Sequence, residues 1–98
     1  MKVLIFDVAI TGHHLEYLHH CYLEALAHSE VEFYFFVSPE FEKKKELYEW
    51  PHASNIIILY STKEQADKCV SAKMWQLGTF ETLLLRRIVK IVNPDYVL

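Results

Sequence analysis

The residues best suited to chemistry stand together near the start of the chain: Asp7 at the end of an apolar run, then Thr11-Gly12-His13-His14, then Glu16 and His20 at helical spacing. A glycine turn at a helix start leaves backbone N–H groups unpaired and aimed, with the positive end of the helix dipole, at the cleft above a sheet. Phosphates suit that position. Gly12 permits a positive φ and close backbone approach, which assigns it, with Thr11 and the amides of His13 and His14, to contacting a phosphate oxygen. The helix start disfavours protonated imidazoles, so each histidine is expected to be neutral and to donate one hydrogen bond to a ligand oxygen such as that of a phosphate. His13 is preferred, because His14 lies four residues before the apolar Leu18 and is drawn toward the packed side, while His13 aligns with Glu16 and His20 on the wetter face. Asp7 interrupts an apolar strand and is expected to accept backbone N–H bonds from its own loop. As catalytic groups, His13 and Asp7 are the candidates, with no second carboxylate placed beside Asp7 by the sequence.

Other reactive types carry blander expectations. His13, Glu16 and His20 share a helix face but lack the His-Glu-x-x-His order, so the face is expected to be solvated and no metal is assigned. Cys21 and Cys69 have neither Cys-x-x-Cys spacing nor the density of a disulfide scaffold, and read as reduced, packed thiols. His19 borders the apolar stripe of its helix and should be partly buried, and Trp50 and Trp75 should pack against the sheet rather than stack on a sugar. Lys43-Lys44-Lys45 lies among Glu40, Glu42, Glu46 and Glu49, a balanced and solvated helix. Arg86-Arg87 and Lys90 form a small basic face late in the chain that could meet a membrane surface.

The elements that must position these groups alternate. Val3-Leu4-Ile5-Phe6-Asp7-Val8 is a strand, and Leu15, Leu18, Tyr22, Ala25 and Leu26 recur at helical spacing up to about His28. Val31 to Val37 is a dense β-branched and aromatic strand suited to cover on both faces. Ser38-Pro39-Glu40 supplies an N-cap, a first-turn proline and a first-turn acid for a helix from Pro39 to about Tyr48, closed by Trp50-Pro51. Asn55 to Tyr60 is a third strand, and Ser61 and Thr62, with Glu64 and Gln65 three residues beyond each, form two overlapping capping boxes. The helix they open runs to about Val92 with a break or bend at Gly78-Thr79; Asn93-Pro94 stops it, and Asp95-Tyr96-Val97-Leu98 starts a fourth strand.

With 98 residues, 52% of them apolar, and a net charge of −3, the composition is that of one ordinary globular domain without a nucleic-acid partner. No apolar run approaches a membrane span and Met1-Lys2 leads straight into a strand, so the expected place is the cytoplasm. Strands alternating with helices imply right-handed crossovers and a Rossmann-like three-layer αβα fold, a parallel four-stranded sheet of order 3-2-1-4. The ligand crevice then lies between strands 1 and 4 at their carboxyl ends, with residues 10–14 as one lip. The other lip would follow strand 4, so residues 1–98 are expected to be the incomplete first part of a longer protein.

Met1-Lys2-Val3-Leu4-Ile5-Phe6-Asp7, the turn Thr11-Gly12-His13-His14, the continuation Leu15-Glu16-Tyr17-Leu18 and the late Ile91-Val92-Asn93-Pro94-Asp95-Tyr96-Val97 resemble the N-terminal domain of a bacterial GT-B-fold glycosyltransferase. The resemblance spans the chain through short motifs. It implies transfer of a sugar from a nucleotide-sugar donor to an acceptor, with this domain on the acceptor side and its first glycine turn approaching the donor diphosphate. It adds the expectation of peripheral contact with the inner face of the membrane, because lipid-linked acceptors are common for such enzymes. No cofactor is implied. The nucleotide-holding C-terminal domain has no counterpart here, so the fragment alone should be inactive and could self-associate.

Rival readings lack their residues. A dinucleotide dehydrogenase needs Gly-x-Gly-x-x-Gly after strand 1 and an acid ending strand 2, where Val37-Ser38 stands; a response-regulator receiver needs an aspartate ending strand 3, where Leu59-Tyr60-Ser61 stands. The alternative from another class is a non-enzymatic binding module that pairs with another copy through an exposed strand edge.

Overall fold

The computed structural model describes residues 1–8, 14–71 and 74–98, the side chains of 69–71 and 74–80 excepted. Its elements run β1 (Lys2–Asp7), α1 (His14–Ala27), β2 (Glu32–Val37), α2 (Glu40–Lys44), a 3-10 turn (Lys45–Leu47), β3 (Ile56–Tyr60), α3 (Lys63–Ser71), α4 (Met74–Val92) and β4 (Tyr96–Val97). The strands form one parallel sheet of order β3-β2-β1-β4. β1 pairs with β2 from Lys2 opposite Glu32 to Asp7 opposite Val37, and with β4 through Val3 opposite Tyr96 and Leu4 opposite Val97. This is the Rossmann-like α/β arrangement that the alternation of elements predicts.

Side chains alternate across a strand, so each strand feeds two cores. Val3 and Ile5 of β1 and Phe33, Phe35 and Val37 of β2 pack under Leu15, Leu18, Tyr22 and Ala25 of α1, with Phe41 of α2 closing the layer. On the other face, Leu4 and Phe36 lie with Val8 against Leu84, Ile88 and Val92 of α4. β2 is therefore covered on both sides, as its unbroken apolar run requires.

Local chemistry sets the boundaries. α2 begins after Pro39, not at it; no side chain caps it, and the Ser38 carbonyl accepts from the Phe41 N–H at 3.1 Å while its hydroxyl leaves the helix end alone. Its α-helical part is five residues, and the 3-10 turn finishes at Leu47, short of the predicted Tyr48. The Trp50 indole N–H bonds back to the Lys45 carbonyl at 2.5 Å, which folds the segment after the turn onto the helix.

Of the two capping boxes, the chain uses the second. The Thr62 hydroxyl accepts from the Gln65 N–H at 3.0 Å and the Gln65 side-chain oxygen accepts from the Thr62 N–H at 2.9 Å, whereas the Ser61 hydroxyl donates to the Thr62 carbonyl. The break expected at Gly78-Thr79 does not occur: α3 ends at Ser71, and α4 runs from Met74 through that pair to Val92. A single interior glycine costs about 1 kcal/mol, too little to interrupt a helix that propagates on both sides of it. Asn93 ends α4 in the left-handed region, φ 53°, a conformation asparagine tolerates, and its N–H still reaches the Val89 carbonyl at 2.7 Å.

Candidate functional site at the β1–α1 junction

Asp7 is the last residue of β1 and His14 the first of α1, and their side chains meet: His14 Nδ1 lies 2.8 Å from Asp7 Oδ2. The carboxylate side chain is 11% exposed and the imidazole 49% exposed, so a sheltered acid orients a ring that still faces solvent. A carboxylate can only accept, which places a proton on Nδ1. Asp7 thus accepts from a side chain, and the Nδ1–H of His14 is committed to that bond rather than to a ligand; the loop amides expected to bond Asp7 lie outside the described residues. The pull of Leu18 does not bury His14, because Asp7 holds the ring at the edge of the sheet.

Two further α1 residues, Tyr17 and Cys21, feel the Asp7 charge. The Tyr17 phenol is pushed above its ordinary range, first by its hydrogen bond with Cys21 and then by burial, with a contribution from Asp7. Burial is the main force raising the Cys21 thiol, opposed by its hydrogen bond with Tyr17 and again with Asp7 adding to it. His14, Tyr17 and Cys21 recur at i, i+3 and i+7, the spacing of one helix face. That spacing was the available signal for a cluster around Asp7.

Thr11, Gly12 and His13, the remaining phosphate candidates, lie outside the described residues. Glu16 and His20 form the solvated face expected of them, 4.0 Å apart and both exposed. Among the described residues no group of three His, Cys, Asp or Glu is gathered that could hold a metal ion. His19 is part-buried as its position predicts: its Nε2–H donates to the Glu49 carbonyl at 3.1 Å and its ring stacks on Tyr48 and meets the edge of Trp50. Trp50 is a packing residue, at 4.9 Å from Phe41 and 5.1 Å from Tyr22 between ring centres; the Trp75 and Cys69 side chains lie outside the described residues.

The sheet order places β1 between β2 and β4, and the Leu98 N–H and carbonyl extend the β4 pairing to Leu4 and Phe6. The Asp7–His14 pair therefore stands at the carboxyl end of the strand where chain direction from the centre reverses, the position at which open α/β sheets take ligands. A shallow cavity of about 140 Å³ between α2 and α3 is lined by Lys43, Lys63, Glu40 and Asp67 around Pro39 and Ala66; with charges of both signs it has no preference for an anion. No protein-family model, curated protein or solved structure matches the chain.

Proposed function

We propose that the chain is the N-terminal, acceptor-side part of a GT-B-like glycosyltransferase, in which residues 11–13 face the diphosphate of a nucleotide-sugar donor and the His14–Asp7 pair faces the acceptor hydroxyl. The 2.8 Å contact between His14 Nδ1 and Asp7 Oδ2 carries the reading. With Nδ1–H committed to Asp7, Nε2 takes the hydroxyl proton as the acceptor oxygen bonds to the anomeric carbon and the nucleoside diphosphate leaves with its electron pair. Asp7 fixes the tautomer and the ring orientation. Thr11, Gly12 and the His13 amide supply the phosphate contacts, and no cofactor or metal is assigned. The 3-2-1-4 sheet supports the placement of both partners at one crevice. The setting is cytoplasmic, and the second domain that completes such enzymes belongs to the proposal, not to these residues.

The test is a titration of the chain with uridine diphosphate followed by amide and imidazole NMR. Shifts are expected to concentrate at residues 11–14 and to vanish in Gly12→Val; shifts elsewhere would overturn the phosphate assignment. In Asp7→Asn the His14 nitrogen shifts should report a mixed tautomer with phosphate binding retained, and an unchanged tautomer would remove His14 as the base.

A second reading, an interaction module that pairs with its own copy, has one observation in its favour: on the edge strand β4, Tyr96, Val97 and the following Leu98 are 61%, 44% and 62% exposed. Concentration-dependent dimerisation that Val97→Lys abolishes would favour it.

A further inference from the structure

We infer that the chain associates head to tail with copies of itself, the basic outer face of α4 on one copy seating on the acidic outer face of α1 on the next. On α4, Leu84, Ile88 and Val92 turn inward, and Leu83, Arg86, Arg87, Lys90 and Ile91 remain exposed. On α1, Leu15, Leu18, Tyr22 and Ala25 turn inward, and Glu16, Tyr17, His20, Leu23 and Glu24 remain exposed. At about 100° per residue, each exposed set occupies one strip roughly 120 to 140° wide. Both strips interleave charge with apolar surface: Leu83 and Ile91 are 58% and 70% exposed among the cations, and Tyr17 and Leu23 are 49% and 45% exposed among the carboxylates.

Opposite charge selects the partner. Residues 82–92 hold Arg86, Arg87 and Lys90 and no carboxylate, whereas α1 holds Glu16 and Glu24 and neither lysine nor arginine. Two α4 strips repel each other, as do two α1 strips, so pairing of like faces is disfavoured and unlike faces meet. The lengths also agree: Glu16 to Glu24 and Leu83 to Ile91 are each a step of eight residues, about 12 Å of helix. Glu16 and Glu24 have His20 at 4.0 Å and His28 at 3.6 Å on their own helix; such exposed pairs contribute little, so the carboxylates can exchange them for guanidinium groups. α1 and α4 cover opposite faces of the sheet, so a copy bound through one strip still presents the other. The contact is heterologous and extends into an open row instead of stopping at two copies. A helix strip of about 20 Å by 10 Å covers about 200 Å² per copy, against about 800 Å² in a stable interface of standard size, which makes the association weak, reversible and sensitive to salt. It uses neither the β4 edge nor the Asp7–His14 pair, so it stands whether or not the β1–α1 junction handles sugar phosphates.

The test is sedimentation equilibrium of the 98-residue chain at rising concentration up to about 1 mM, in about 0.02 M and about 0.5 M salt. At low salt the mean mass should climb through that of a dimer without a plateau, and at high salt it should return to the monomer. Two variants each remove one face: Arg86→Gln with Arg87→Gln and Lys90→Gln, and Glu16→Gln with Glu24→Gln. Each variant alone should lose at least about tenfold in association constant. Their equimolar mixture should form a one-to-one pair and grow no further, because a single unlike contact is left to make. All five substituted residues are exposed, so thermal melting should stay in place and report intact folding. A wild-type chain that stays monomeric throughout would overturn the proposal and leave both strips to other occupants. So would association that either glutamine variant keeps at the wild-type level, or a mass that levels off at the dimer and is lost in Val97→Lys, which would assign the pairing to the β4 edge.

Discussion

The two faces of the sheet are built from alternate residues of the same strands, yet they are made differently. Under α1 and α2, Val3, Ile5, Phe33, Phe35 and Val37 meet a layer of aliphatic and aromatic side chains that extends through Tyr22 and Phe41 to Trp50, and the Tyr22 hydroxyl is tied to the Pro51 carbonyl at 2.5 Å. Under α4, among the described residues, the core is narrower: Leu4, Val8 and Phe36 against three helix residues, with Phe6 stacked on Phe36 at 5.4 Å. Charge divides the same way, acidic outside α1 and basic outside α4. A wide, ring-rich interface resists truncation because many neighbours lose contacts at once. Among the described residues, the extended ring cluster lies on the α1 side of the sheet and the single Phe6–Phe36 stack on the α4 side.

Substitutions on each side can break this contrast. Leu18→Ala, at a position with no exposed surface, should cost about 4 kcal/mol in urea unfolding, and Ile88→Ala on the α4 side about 2 to 3. Equal losses would mean that the two cores share the load. Next in size is Asn55, whose buried amide donates to the carbonyls of Ala25, His28 and Val31 at 2.9, 3.2 and 3.0 Å and binds the end of α1 to the starts of β2 and β3. Asn55→Ala removes all three of these bonds, although the Ala25 and His28 carbonyls keep the N–H groups of His28 and Val31, and should cost about 2 kcal/mol. On the α4 side the corresponding local device is the exposed capping box, so Thr62→Ala should cost only about 1 kcal/mol.

The smallest effect is alkaline. Burial, and for Tyr60 also its hydrogen bond to Glu42, pushes the phenols of Tyr22 and Tyr60 above their ordinary value of 10.0. Their contribution to folding is complete below pH 10 and is lost as pH rises through the raised folded values, because the unfolded chain releases those protons first. Phenolate absorbance should therefore lag behind that of free tyrosine above pH 10, and Tyr60→Phe should flatten the alkaline fall in stability. A normal phenolate titration of the folded chain would contradict both.

Strand order, parallel pairing and the αβα layering were legible because uninterrupted apolar strands, spaced helical stripes and short connections admit few topologies. Thr62 and Gln65 announced their box by spacing alone. Ser61 did not differ from Thr62 in sequence, and only the geometry of the turn chose between them. Gly78 misled because local propensity speaks for one residue while a helix is held by its neighbours. At the site, the residue types of Asp7 and His14 were readable but their contact was not. It depends on how the strand end and helix start approach one another, a tertiary distance that a separation of seven residues does not fix.

The tie between Lys2 and Asp95 has a consequence in time. The Lys2 N–H donates to the Asp95 carboxylate at 2.8 Å, the Asp95 N–H returns a bond to the Lys2 carbonyl at 2.8 Å, and the Lys2 ammonium reaches the Val92 carbonyl, across separations of up to 93 residues. On the ribosome, β1 emerges first and can pair with β2 early, but its other edge must wait until residue 95 has been synthesised and cleared the exit tunnel. At about 5 to 20 residues per second, that leaves the β4-facing edge of β1 open for several seconds. Of these four strands, the one made first is therefore among the last to be completed.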